Sequence, residues 1–340
     1  MDCNRRWLMG SPYRMTLPRV SIIIPVAPGG TVRALAGLAP VTYPQELFEV
    51  LVAYGRAPSV QRNRAANEAE GDILYFLDDD SRVAPGFLER AVPHYENPKV
   101  AAAGGPSLTP VTDSPLQRAI GVVLSSAVGG GGVRNRYRKA GEARHTGDSE
   151  LILCNLSFRR EIFLSHGGLD SRLYPNEENE LMDRLVGEGF YLVHDPELGV
   201  QRSQRPTWKA YVKQMLGYGR GRGEQTRISG RIKPVAMAPS LFVVYLLLLP
   251  LLGSWILSLP FFAYLALMLA ASLQGALGAR DLTLLPRLLV LFPALHLLYG
   301  VGVVWGLVRP RFKGAPRSTD GIEIRRVKAF GEPLNAQGQD

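Results

Sequence analysis

Only two cysteines occur among the 340 residues, Cys3 and Cys154. They are too few and too far apart for a disulfide framework or a metal knuckle, so both are expected as free, reduced thiols. The opening residues, MDCNRRWLMGSPYRM, are basic but lack any apolar stretch. That excludes a secretory signal and predicts a head that stays in the cytoplasm. Charge is missing altogether from Val235 to Ala279, a run of 45 residues, and again for 21 residues between Arg287 and Arg309. About 20 residues at 1.5 Å rise cross a hydrocarbon core of about 30 Å, so the first run is long enough for two spans. A purely soluble enzyme, a disordered chain and a collagen-like fibre are thereby excluded. The chain reads as a large soluble head attached to a membrane.

Lys and Arg number 39 against 30 Asp and Glu, a net charge of +9. From Pro234 onward there are nine basic and five acidic residues, so the head carries about half the excess. No basic-aromatic stripe or nucleic-acid motif accompanies it. Anionic lipid headgroups and phosphorylated substrates account for the surplus more simply.

Residues 20–25 (VSIIIP) form a short β-branched run ended by Pro25, a buried-strand pattern. Residues 48–53, 73–77 and 100–104 repeat it, with helical stretches near 32–38 and 61–69 between them. Such alternation predicts an α/β domain with a mainly parallel, Rossmann-like sheet. Ligands bind such sheets at the carboxyl ends of the strands, where Asp78-Asp79-Asp80 follows the third strand. The glycine run 129–132 predicts a mobile loop with a basic end. Residues 207–225 read as a basic amphipathic helix that breaks up into glycines and arginines. The divisions expected are an extension over 1–18, the α/β domain over 19–230, apolar helices over 234–308 and a basic tail over 309–340.

Three constellations could carry chemistry. Alternate carboxylates of the Asp triplet can point the same way and, with a nucleotide diphosphate, hold Mn²⁺ or Mg²⁺, hard cations that prefer oxygen. The plainer reading is a solvated turn in which an Asp caps a helix beginning near Ala84. Asn176 through Glu180 supplies an N-cap with acids in the first turn, which suits the helix dipole without any function. A functional reading needs one of those carboxylates to take a proton near the metal site. In Gln214 and Tyr218-Gly219-Arg220-Gly221-Arg222, glycines permit close approach and guanidinium groups pair with phosphate oxygens. Lipid headgroups just before the first span are the alternative ligands.

Five landmarks in order bring these together: VSIIIP, RNRAANEAEGDILYFLDDDS, GGGGVRNRYR, FRREIFLSHGGLD with NEENEL, and RPTWKAYVKQMLGYGRGR. From about Val20 to Arg227 the chain resembles a family 2 glycosyltransferase of the GT-A fold. It is similar above all to the membrane-anchored exopolysaccharide type, succinoglycan glucosyltransferases among them. The resemblance implies inverting transfer of one sugar from a nucleotide diphosphate-sugar to a hydroxyl of a lipid-linked saccharide. It implies that Asp78 and Asp80 hold Mn²⁺ or Mg²⁺, with Asp79, Pro25, Arg62, Asn63, Gln214, Arg220 and Arg222 on the donor side. Glu178, preceded by Glu177, would be the general base, and Glu180 the acceptor-side acid. The sequence departs from the family pattern at three points. Ala53-Tyr54-Gly55-Arg56 offers no carboxylate for the nucleotide's base, the first strand runs into Ala27-Pro28-Gly29-Gly30, and Glu replaces Asp as the general base. A processive synthase is disfavoured, because Gln214 is followed by Met215-Leu216-Gly217-Tyr218 rather than by an Arg-Trp pair. A polyprenyl-phosphate sugar synthase and a non-catalytic scaffold in a polysaccharide assembly complex stay open as alternatives.

The apolar stretches place spans near 237–256, 259–278 and 288–308. Arg280 and Arg287 suit a cytoplasmic loop of a multi-pass plasma-membrane protein. Three full crossings would leave the tail on the far side from the head. Yet the tail from Arg309 to Lys328 holds seven basic and two acidic residues, which favours the head's side. The sequence leaves that conflict standing. His296 and Tyr299 are polar groups at membrane depth, expected to hydrogen-bond a neighbouring helix.

Overall fold

A computed structural model describes residues 17–251, 253–311 and 321–334. Most of the expected N-terminal extension, with Cys3, lies outside them. Among the described residues ten strands form: β1 (Val20–Val26), β2 (Phe48–Tyr54), β3 (Ile73–Leu77), β4 (Val100–Gly104), β5 (Ser107–Leu108), β6 (Arg144–Thr146), β7 (Asn155–Arg159), β8 (Tyr191–His194), β9 (Val200–Gln201) and β10 (Glu323–Lys328). The main sheet has the order β10-β2-β1-β3-β7-β4-β8-β6, and β5 pairs with β9 apart from it. Strands β1, β2, β3, β4 and β8 run one way and β6, β7 and β10 the other, so the sheet is mixed but mostly parallel.

The helices of the head are α1 (Ala34–Leu38), α2 (Pro58–Glu68), α3 (Phe87–Ala91), α4 (Pro115–Ser125), α5 (Arg160–Ser165), α6 (Glu177–Gly187) and α7 (Trp208–Ser229). They cover both faces of the sheet, which is why its central strands are mostly apolar rather than alternating. Ile22, Ile24, Val50, Val52 and Tyr75 pack with Leu35, Leu38 and Leu88 on one face. Ile23, Leu51, Leu74, Phe76 and Phe158 pack with Ala65, Phe163, Leu181 and Leu185 on the other. Cys154 is buried as a free thiol, and burial pushes it up to about 11, far from a reactive thiolate at neutral pH.

Two local expectations change. The glycine-rich segment winds into a 3₁₀ helix over Gly131–Tyr137, and its Arg136 is buried, donating to the carbonyls of Asp148 and Ser149 and to Asn179. Helix α7 does not break at its glycines but continues through them for 22 residues. A Cβ at Gly219 or Gly223 would lie 2.1 and 2.4 Å from backbone carbonyls of a neighbouring helix, and one at Gly221 2.5 Å from Pro175 O. These glycines serve close packing, and the tertiary contact outweighs their weak helix propensity.

That neighbour is the last of three apolar helices, α8 (Pro234–Leu248), α9 (Leu259–Gly278) and α10 (Leu285–Val308). With short flanking turns they give, among the described residues, three segments long and apolar enough to cross a membrane, Pro234–Leu251, Ile256–Gly278 and Leu282–Val308. His296 hydrogen-bonds Tyr264 of α9 (3.0 Å) and the Val128 carbonyl (2.9 Å), so its polarity is satisfied by neighbours.

The basic tail is not wholly a tail. Its residues Glu323–Lys328 form β10, antiparallel to β2 from Glu323 opposite Tyr54 to Lys328 opposite Val50. The buried Lys328 ammonium donates to the carbonyls of Gln45 (2.8 Å), Phe48 (2.8 Å) and Ala329 (3.1 Å). Arg326 pairs with the fully buried Glu49 (3.1 Å) and with Glu70 (2.7 Å). Lys328→Ala strands those carbonyls and is expected to cost about 1–3 kcal/mol. Denaturant melting checks this, and a variant as stable as the wild type would contradict the anchoring role.

Candidate active site

Strand β3 (ILYFL) is buried over all five residues and delivers Asp78-Asp79-Asp80 at its carboxyl end. Ser81 closes the turn, its amide donating to the Asp78 carbonyl (3.1 Å) and its hydroxyl to the Cys154 carbonyl (3.1 Å). The acids do not cap a helix. The next one, α3, has Gly86 at its N-cap and no side-chain cap.

Instead two of the three carboxylates converge on a cation that sequence reasoning missed. Arg202, just beyond β9, donates through Nε to Asp80 (2.8 Å) and pairs through Nη2 with Asp78 (3.0 Å). Burial opposes the charge of Arg202, but Asp78, Cys154 and Asp80 more than offset it and hold the guanidinium well above its ordinary range. Burial likewise raises Asp78, yet Arg202, Arg62 and Arg205 together hold it below the usual carboxylate value. Asp79 goes the other way, pushed up by burial and by Asp80 and Asp78 on either side. The signal for this cluster lay in QRSQRP, two arginines between a strand and α7. It was legible only once β9 was known to return beside β3.

Arg62 of α2 joins this turn to α6. Its side chain is 6% exposed, with Nη2 2.8 Å from Asp78 and Nη1 3.5 Å from Glu177. One planar guanidinium thus spans two carboxylates from separate elements. Asn176, before α6, sits in the left-handed region (φ 89°), a conformation Asn tolerates better than most residues. Its side chain contacts Gln225 of α7 (3.4 Å) rather than capping the helix. Glu177 and Glu178 follow, both buried, with Glu178 3.4 Å from the Asn179 amide. Burial first, and then the Glu178 charge, raise Glu177 far above an ordinary carboxyl.

The other expected site residues divide. Arg222 faces the same region, donating to Gln225 (2.8 Å), which in turn reaches Asn176. Gln214 lies on α7 and donates to the Tyr218 hydroxyl (2.8 Å). Pro25 lies near the carboxyl end of β1, opposite Ala53 of β2. Asn63 points elsewhere: its amide grips both the Leu169 carbonyl (2.7 Å) and the Leu169 amide (2.9 Å) and so braces the Gly167-Gly168-Leu169 turn. Glu180 turns away, paired with Arg184 (2.7 Å), and lines a separate cavity with Asp170, Arg172 and Arg231. Arg220 is also apart, held by Glu224 (3.0 Å) and the Arg309 carbonyl (2.8 Å) and stacked over Trp305. Asn63→Ala is therefore expected to cost about 1–3 kcal/mol of stability while nucleotide affinity stays near the wild-type value. Melting and titration together check it, and intact stability with lost affinity would contradict the bracing role.

Buried polar atoms without a partner mark the same region: Arg62 Nε, Glu177 Oε2, Gln214 Oε1 and Arg222 Nε. Each such atom costs about 1–3 kcal/mol, which hydroxyls or phosphates of a ligand would offset. Among the described residues no three His, Cys, Asp or Glu side chains gather as a self-sufficient metal cage. Asp78 and Asp80 offer two carboxylates facing one point, a donor set suited to a hard cation that takes its other oxygens from a ligand.

Comparison with known proteins accords with this arrangement. The sequence pattern of Glycosyl transferase family group 2 matches residues 73–276. Succinoglycan biosynthesis protein ExoA of Rhizobium meliloti (strain 1021) is 26% identical over 283 residues, 79% of this chain and 81% of that protein. A dolichyl N-acetyl-α-D-glucosaminyl phosphate 3-β-D-2,3-diacetamido-2,3-dideoxy-β-D-glucuronosyltransferase of Methanococcus voltae is 24% identical over 254 residues, 73% of this chain and 74% of that one. Among solved structures, the mannosyltransferase PcManGT of Pyrobaculum calidifontis, in complex with GDP-Man and Mn²⁺, superposes with a TM-score of 0.55 at 15% identity. The match covers 88% of this chain and 89% of that one. The fold is thus that of the GT-A glycosyltransferases, and the chain belongs to glycosyl transferase family group 2.

Proposed function

We propose that this glycosyltransferase moves one sugar from a nucleotide diphosphate-sugar to a hydroxyl of a lipid-linked saccharide, with inversion, in the making of a cell-surface or secreted polysaccharide. The observation that carries the reading is Arg62, one guanidinium shared by Asp78 of the strand-end turn and Glu177 of α6. It sets the carboxylates suited to the donor beside the pair suited to deprotonating an acceptor. Inversion needs a base on the acceptor side and charge neutralisation on the leaving side. Glu178 takes the hydroxyl proton as the oxygen bonds to the anomeric carbon. The carbon–oxygen bond to the diphosphate breaks as that bond forms, and the diphosphate leaves with the electron pair. Arg62, Arg202 and Arg205 stand ready for its negative charge, and stabilisation of that kind is commonly the largest catalytic contribution.

Asp78 and Asp80 would hold a divalent cation together with diphosphate oxygens, and Mn²⁺ or Mg²⁺ there would supply further neutralisation of the leaving group. The PcManGT complex, which holds both GDP-Man and Mn²⁺, supports this assignment. The lipid-linked acceptor is supported by the dolichyl-linked substrate in the name of the Methanococcus voltae relative, and the polysaccharide by the succinoglycan relative. The head faces the cytoplasm, where nucleotide sugars are made, and the apolar helices keep it beside an acceptor in the membrane.

Membranes containing the chain, supplied with labelled nucleotide sugars, are expected to transfer label into lipid-extractable saccharide only when an acceptor saccharide is present. Label on a bare polyprenyl phosphate would establish the synthase alternative, and no transfer with any donor would favour a scaffold. The raised Glu177 gives a second expectation. The acid limb of the kcat/KM profile should carry the titration of Glu177 and lie above the ordinary carboxylate range. Activity present above that limb is lost as pH falls through it, and Glu177→Gln, which removes a like charge, should move it to lower pH. A wild-type limb at an ordinary Glu value, or one unmoved in the variant, would contradict the coupling.

A further inference from the structure

The order of the strands says which way a ligand held at the Asp triplet extends. Strand β1 lies between β2 and β3, so the chain crosses from one side of β1 to the other. Sheets of this kind bind ligands outside the carboxyl ends of the strands, at such a reversal of order. Asp78 and Asp80 stand on its β3 side. Toward β7 the turn is already filled, by Arg202 on both carboxylates and by the Ser81 hydroxyl on the Cys154 carbonyl. Toward α1 it is closed by the Ala34 amide, which donates to the Asp79 carbonyl (2.9 Å). A ligand whose diphosphate sits on the two acids therefore runs over the ends of β1 and β2. Neighbouring strands lie about 4.8 Å apart, which puts β2 about 10 Å from β3 and β10 about 14 Å from it. A nucleoside reaches that far from its diphosphate.

The end of β2 reads Ala53-Tyr54-Gly55-Arg56 and has no acid, but β10 brings one beside it. Glu323 stands opposite Tyr54 and Arg325 opposite Val52. Residues opposite one another in an antiparallel pair share a face, and here the side chains meet. The Arg325 guanidinium carbon lies 5.1 Å from the centre of the Tyr54 ring, and Arg325 Nε donates to Glu323 Oε1 (2.7 Å). Among the described residues the second oxygen of Glu323 accepts no hydrogen bond, and its side chain is 59% exposed.

This end of β10 is firmly seated. Ile322, just before it, is buried, and a Cβ on Gly55 would lie 3.2 Å from its side chain. Gln61 of α2 donates to the carbonyls of both Val26 (3.0 Å) and Ala53 (2.5 Å), which ties the ends of β1 and β2 together. Farther along, Arg326 on Glu49 and the buried Lys328 fix the register, and with it the place of Glu323.

We propose that β10 supplies the nucleobase end of the donor site. The base packs beside Tyr54, whose ring is braced by Arg325, and Glu323 accepts a hydrogen bond from an N–H on the base's edge. An ionised carboxylate only accepts, so this contact sorts bases by where their N–H groups stand, while the Tyr54 ring offers an apolar surface. The inference rests on the donor site proposed above and adds which residues choose the nucleotide. The family pattern matches residues 73–276, so Tyr54, Glu323 and Arg325 all lie outside it.

The test titrates the detergent-solubilised full chain, with Mn²⁺ present, with UDP, GDP, dTDP, CDP and methyl diphosphate, which has no base. The wild type should bind one nucleotide at least tenfold more tightly than methyl diphosphate. Glu323→Ala and Arg325→Ala change half-exposed side chains, so both variants should keep the wild-type melting temperature. Glu323→Ala should bind the preferred nucleotide about tenfold more weakly, the loss expected of one hydrogen bond to a charged group. Arg325→Ala, which releases both Tyr54 and Glu323, should weaken it in the same direction. Methyl diphosphate should bind both variants as it binds the wild type. Nucleotide affinity unchanged in either variant, or methyl diphosphate weakened as much as the nucleotide, overturns the assignment. So does a wild type that binds methyl diphosphate as tightly as every nucleotide. Failure of the wild type to bind any of the five would instead refute the donor site itself.

Discussion

Glu178→Gln is expected to lower kcat by about 10²- to 10⁴-fold while the fold and donor binding persist, the range typical of losing a positioned base. The amide matches the carboxyl in size but accepts no proton from an attacking hydroxyl. Because Glu178 is buried beside Glu177, an amide also removes a like charge, so the variant should fold at least as well as the wild type. That separates a chemical loss from a structural one. Glu177→Gln serves as the companion, with a shifted acid limb and a smaller fall in kcat. A Glu178→Gln enzyme with kcat near the wild-type value would remove Glu178 from the mechanism.

Arg62→Ala should be the most damaging single change, in stability as well as turnover. It strips the buried Glu177 of the cation beside it and leaves Asp78 to Arg202 and the more distant Arg205. Removing one partner of a buried pair costs about 3–5 kcal/mol, because the charge left behind stays desolvated. Arg62→Lys separates the two effects. An ammonium restores charge but, as a single point, cannot span both carboxylates as the planar fork does. Part of the stability should return under denaturant while kcat/KM stays low. Full recovery of activity in Arg62→Lys would show that charge alone, and not the bridge, matters there.

How far the sequence led is clearest at particular residues. Strand β3 and its Asp triplet were legible because five apolar residues run straight into three acids after Gly71-Asp72. Helix α6 was legible from its first-turn acids. Arg202 was not, because its role depends on β9 returning beside β3, a contact across 122 residues. Asn63 and Arg220 have the residue types of a donor site, but folding spends one on a backbone turn and the other on a helix end. Strand β10 was hidden because, among its charged residues, the two apolar ones, Ile324 and Val327, stand three apart and break the alternation of a strand. The glycines of α7 read as breakers because their partner, α10, lies about 80 residues away. Strand β10 pairs with β2, so this part of the tail sits beside the head. In each case local pattern was readable and long-range partnership was not.

The most direct test of the central claim is isothermal titration of the detergent-solubilised chain with UDP, GDP and dTDP, each with and without Mn²⁺, and with Asp80→Asn as the control. One nucleotide should bind with clear dependence on Mn²⁺, and the variant should lose that dependence while keeping its melting temperature. Failure of a well-folded chain to bind any of the three, or binding unchanged in Asp80→Asn, would contradict the donor site assigned to Asp78 and Asp80.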